Sequence, residues 1–169
     1  MITIKKLEEA LREMHDIEVM KNSSNKKIKS ILFSKKDDRF TLTLLEPDAI
    51  STTKIKLTKV VLHPNHKRVK RKDAELVEAS VNLTLENPCK VVYVYQDNNQ
   101  DSGFFVIDNI FTDKLDYFTT KESEEKITED LKILILGMII EIFRCMQAIK
   151  KEADDIDEKE LNKDKEGNM

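Results

Sequence analysis

The sequence predicts an α+β fold: an N-terminal helix, about six antiparallel strands in one sheet, and a long C-terminal helix packed on that sheet. Two observations lead there, the periodicity of the apolar residues and the scarcity of turn formers. Apolar residues recur at three- and four-residue steps at the start of the chain, alternate with polar ones between about 28 and 110, and return to helical spacing after 123. Only three Gly and three Pro occur in 169 residues, which favours long elements joined by polar turns over a many-turned barrel.

Residues 3–20 are expected to be helical, with Ile4, Leu7, Leu11 and Met14 on one face and Lys5, Glu8, Glu9, Arg12 and Glu13 turned outward. Thr3 is the expected cap. Six strands follow: "IKSILF" at 28–33, "FTLTLL" at 40–45, "KIKLTKVVL" at 54–62, "ELVEASVNLTL" at 75–85, "KVVYVYQ" at 90–96 and "GFFVIDNI" at 103–110. Turn-forming clusters such as "EPDAIS", "HPNH", "ENP" and "DNNQDSG" separate them, and no helical pattern intervenes, so a meander is expected.

From Ser123 to about Lys151 the helical period returns, opened by the acidic "SEEKITED", which suits the positive end of a helix. Glu141, Arg144 and Lys151, with Gly137 and Ala148, form a narrow polar line, leaving apolar side chains around most of the circumference. One sheet covers one side of such a helix; the other side calls for a second partner. The segment is not expected to span a membrane, because its longest uncharged run, 133–140, falls far short of the roughly 20 residues needed. The domain is expected to cover 1–152, with 153–169 a charged, disordered tail.

Little in the chain suggests chemistry. Cys89 and Cys145 are isolated, which fits a reducing cytoplasmic setting, and no Cys-x-x-Cys pair exists. His63 and His66 flank the turn pair Pro64-Asn65, and no second pair completes a metal site; His15 has no evident partner. Pro47-Asp48 with "EEK" at 124–126 resembles a metal-dependent nuclease signature, but the spacing is long and the second piece opens a helix. No phosphate-cradling glycine loop and no nucleophile elbow is present. No catalytic residue, metal or cofactor is therefore assigned.

Residues 67–72 alone carry +5 in a chain of net charge −3, leaving −8 on the rest. Read as a strand charged on both faces, this stretch is an exposed edge or arm. Lys67, Arg68, Lys70, Arg71 and Lys72 could contact phosphates, which makes a nucleic-acid accessory role the alternative function. No aromatic residue is interleaved to stack on bases.

Tyr93, Tyr95, Phe104, Phe105, Phe111 and Phe143 cluster in the second half of the chain. There "ASVNLTL", "GFFVIDNI" and the acidic lead into "LKILILGMIIEIFR" together resemble the SecB-type export chaperones. In that family a strand bearing Gly-x-Phe closes the sheet and a long apolar helix with an arginine follows. Gly103 and Phe105 match the strand motif and Arg144 the helix arginine; Glu141 stands where the family has proline, the 97–103 turn looks inserted, and the 3–20 helix has no counterpart. The resemblance implies a domain that oligomerises and holds unfolded chains on apolar grooves. The expected function is accordingly a non-catalytic protein-binding module, chaperone- or adaptor-like and homo-oligomeric. Its expected partner-binding residues are Phe104, Phe105, Met138, Ile142, Phe143 and Met146.

Overall fold

A computed structural model describes residues 2–25, 28–45, 53–62, 70–84, 89–95, 103–113 and 124–166. The observed fold has the predicted α+β class, with an N-terminal helix, a six-stranded antiparallel sheet and a long C-terminal helix. The elements are α1 (Ile4–Glu13), β1 (Ile17–Asn25), β2 (Ile28–Lys35), β3 (Asp38–Leu45), β4 (Thr53–Val61), α2 (Arg71–Thr84), β5 (Cys89–Tyr95), β6 (Gly103–Asp113) and α3 (Glu124–Glu166). Strand order is β1-β2-β3-β4-β6-β5, so the expected meander holds only through β4. There the chain leaves the sheet, builds α2, and returns at the far edge before β6 fills the gap.

The chain divides into two compact units, Met1–Lys59 with Asp108–Glu141 and Val60–Ile107 with Ile142–Met169. In the first unit, α1 begins as its sequence dictates: the Thr3 hydroxyl accepts from the Lys6 amide at 3.3 Å, and the Leu7 amide donates to the Thr3 carbonyl at 3.1 Å. Leu7, Ala10 and Leu11 are buried. The helix stops well short of residue 20. Met14 is extended and Asp16 is left-handed (φ 61°), a conformation Asp tolerates better than most residues. "IEVM" then continues as strand, because Ile17 and Val19 alternate with Glu18 and prefer a pleated surface.

The β1–β2 register shifts between Val19 and Lys21, leaving Met20 as a bulge. The β2–β3 hairpin turns through Lys36 (φ 56°) and Asp37, between the paired Lys35 and Asp38. Period-two alternation then sets the core. Ile31, Phe33, Phe40, Leu42, Leu44, Ile55 and Leu57 are all buried, and Phe33 lies directly opposite Phe40 with the rings stacked at 5.4 Å. The next inward position on β4 is Lys59. Its ammonium lies over the Phe40 ring (5.1 Å to the centroid) and meets Asp38 Oδ1 at 2.6 Å. On the opposite face the Thr58 hydroxyl donates to Asp108 Oδ1 at 2.5 Å, joining β4 to β6.

In the second unit, the segment 75–85 predicted as a strand is instead helix α2. Val77 and Val81 fit both a two-residue and a helical period, so alternation alone cannot separate the two. Ala74, Val77 and Val81, buried at i, i+3 and i+7, are the stripe that a helix requires. The basic run does not form a strand in its visible part either: Lys70 precedes α2, with the Ala74 amide bonded to its carbonyl at 2.9 Å, and Arg71 and Lys72 open the helix.

Leu76 and Leu83 are exposed on α2, while another line of its side chains holds the edge of β5. Asn82 Nδ2 donates to the Val91 carbonyl (2.8 Å) and its Oδ1 accepts from the Val91 amide (2.9 Å). Glu78 Oε2 accepts from the Tyr93 amide (2.8 Å), and the Tyr95 hydroxyl donates to Glu75 Oε1 (2.5 Å). Four helical residues rise about 6 Å and two strand residues about 6.6 Å, so Asn82 and Glu78 fall in step with Val91 and Tyr93. The helix thus takes the place of a seventh strand.

Helix α3 runs through Glu166, beyond the Lys151 near which the helical period was expected to end. Between Gly137 and Gly167 the sequence contains no Gly or Pro, and "EADDIDEKELNKDKE" is rich in good helix formers.

Candidate protein-binding face

Helix α3 buries a single stripe: Ile127, Leu131, Ile135, Met138, Ile139, Ile142, Cys145, Ile149 and Ala153 are all inside. Steps of three and four residues keep these positions on one side of a 3.6-residue helix. The opposite side is also apolar over two turns. Ile133 is 68% exposed, Leu136 41% and Ile140 44%, and a Cβ added at Gly137 would meet nothing within 4 Å. Three large aliphatic side chains thus line an open face with no Cβ at its middle.

Charge frames this face. Glu125, Lys126 and Glu129 are exposed on its N-terminal side, and Arg144, Lys150 and Lys151 on its C-terminal side. On the flank, Lys132 bonds Glu129 Oε1 at 2.6 Å and Glu13 Oε2, at the end of α1, at 2.7 Å. Hydrogen bonds to Glu129 and then Glu13 hold its ammonium above its ordinary pKa of 10.5. Nearby, Asp130 Oδ2 is enclosed without a hydrogen-bond partner.

The residues expected to bind a partner divide by burial. Phe105, Met138 and Ile142 are core side chains, 1%, 4% and 0% exposed. Phe104, Phe143 and Met146 are partly exposed. Phe104 and Phe105 point to opposite faces of the sheet, as strand geometry demands, and Phe105 packs on Tyr93 with ring centroids 5.0 Å apart. The outward residues Ile133, Leu136 and Ile140 were not singled out by composition. Their signal lies in position, half a turn away from the stripe that starts at Leu131 and continues through Ile135, Met138 and Ile142.

Of the expected phosphate contacts, Lys67 and Arg68 lie outside the described residues, as do His63, His66 and Pro47-Asp48. Lys70 and Lys72 are exposed at the start of α2. Among the described residues, no group of three or more His, Cys, Asp or Glu is placed to hold a metal ion, and no helix is long and apolar enough to cross a membrane. Cys89 and Cys145 are buried thiols.

No protein-family model and no curated protein matches the chain. Among solved structures, it is similar to the crystal structure of an uncharacterized protein from Methanothermobacter thermautotrophicus. The likeness has a TM-score of 0.50 and 10% sequence identity, and covers 89% of this chain and 98% of that one. At that identity the two chains share a fold.

Proposed function

We propose that the chain is a non-catalytic protein-binding module, chaperone- or adaptor-like, whose docking surface is the outward face of α3. The observation that carries this reading is the exposure of Ile133, Leu136 and Ile140 on consecutive turns of one helix. Burying a Leu or Ile side chain completely is worth about 1.5–3 kcal/mol, so three half-exposed ones leave roughly 2–4 kcal/mol available to a partner. Single exposed apolar residues are common on monomers; a contiguous row on one face marks an interaction surface. The resemblance of 79–149 to SecB-type chaperones supports the same class of activity, with Arg144 at the edge of this face. The expected surface joined Phe104 and Phe105 to the helix 131–149; the reading here keeps the helix and rests on its outward residues, because Phe105, Met138 and Ile142 are buried.

The test is binding of a permanently unfolded client, such as a reduced and carboxymethylated protein, measured by fluorescence anisotropy. Ile133→Glu and Ile140→Glu together are expected to abolish binding while leaving the circular dichroism spectrum unchanged. Full binding by that folded double variant would refute the reading.

A further inference from the structure

The charges around the α3 face are ordered, and their order specifies an occupant. Taking Gly137 as centre, Glu129 stands eight residues before it and Arg144 seven residues after, each roughly 11 Å along the axis. Both lie on the exposed side, as do Ile133 and Ile140 between them. A two-fold axis through Gly137 would set Glu129 of one helix beside Arg144 of another, twice, and Ile133 beside Ile140, twice. A parallel arrangement would set Glu129 against Glu129 and Arg144 against Arg144, with like charges repelling. Further out, Glu125 falls near Lys150 and Lys151 in the antiparallel sense, while Lys126 faces the neutral Gln147. The open space over Gly137 lets two backbones approach where the axis passes.

We propose that this face pairs with the same face of a second copy of the chain, the two α3 helices running antiparallel and crossing at Gly137. This rests on the reading of α3 as a docking surface and names its occupant. Self-pairing and client capture then compete for Ile133, Leu136 and Ile140, so client affinity falls as protein concentration rises.

Sedimentation velocity over a concentration series tests the pairing. Glu129→Arg and Arg144→Glu, taken singly, are each expected to weaken the dimer about tenfold or more, and together to restore it, since the swapped charges again meet their opposites. Direction is read by cysteine cross-linking, with the native Cys89 and Cys145 buried. A mixture of Ile133→Cys and Ile140→Cys chains is expected to cross-link, because these positions lie about one residue apart along the axis. Ile133→Cys alone is expected not to, because its two copies lie roughly 12 Å apart along the axis, beyond disulfide reach. A chain that stays monomeric at every concentration overturns the proposal, and so does cross-linking by Ile133→Cys alone or failure of the double charge swap to restore the dimer. If a strictly monomeric chain still binds the unfolded client through Ile133 and Ile140, the docking surface stands and only the second copy is excluded.

Discussion

Replacing Asn82 by Ala should destabilise the fold although Asn82 is an exposed residue. Its amide makes two hydrogen bonds to the backbone of Val91, at 2.8 and 2.9 Å. Each such bond contributes about 1 kcal/mol net, so losing both costs about 2 kcal/mol. Against this, alanine is the better helix former by about 0.5 kcal/mol. The balance is a loss of about 1.5 kcal/mol, which for a chain of this size lowers Tm by roughly 3–6 °C. Thermal unfolding followed by circular dichroism measures it, and urea titration checks that the midpoint moves without a change in slope. An Asn82→Ala variant with unchanged or higher Tm would refute the reasoning, since propensity alone would then act and the helix would contribute nothing to holding the strand edge.

Gly103→Ala should be strongly destabilising, because a Cβ there would run into the Tyr93 ring and the Val94 carbonyl; a loss of about 1–3 kcal/mol in urea titration is expected. Gly137→Ala should raise the stability of the monomer by about 0.8–1 kcal/mol, since the position is helical and open, while weakening self-pairing in sedimentation. Lys132 bears on alkaline stability: its pKa is raised in the folded chain by Glu129 and Glu13, so its contribution is complete below the ordinary value of 10.5 and fades as pH climbs through the higher folded value. Urea midpoints of the native chain should therefore fall more steeply above pH 10.5 than those of Lys132→Met.

How far the sequence could be read depended on whether a pattern had one physical meaning. The Thr3 cap, the alternation of Phe40, Leu42 and Leu44, and the acidic opening of α3 were legible because each signal fits a single local structure. The segment 75–85 was not, since Val77 and Val81 satisfy two periods at once and only tertiary contact with β5 decides between them. The stretch 14–20 was misread because Met14 continues the helical spacing of Leu7 and Leu11, while the left-handed turn at Asp16 is a backbone event that leaves little trace in hydrophobicity. The candidate face was half legible. The excess of apolar residues in α3 announced an unburied side, but only the burial pattern identified Ile133, Leu136 and Ile140 as that side.

Because side chains of α2 occupy the β5 border at Val91 and Tyr93, an intruding strand meets a ladder already taken at its middle. Among the described residues, lateral growth is confined to the β1 border, and that strand carries a bulge at Met20. Any edge-to-edge association must therefore terminate at two molecules, each closed on its far side, and an open-ended fibril would require α2 to peel away first.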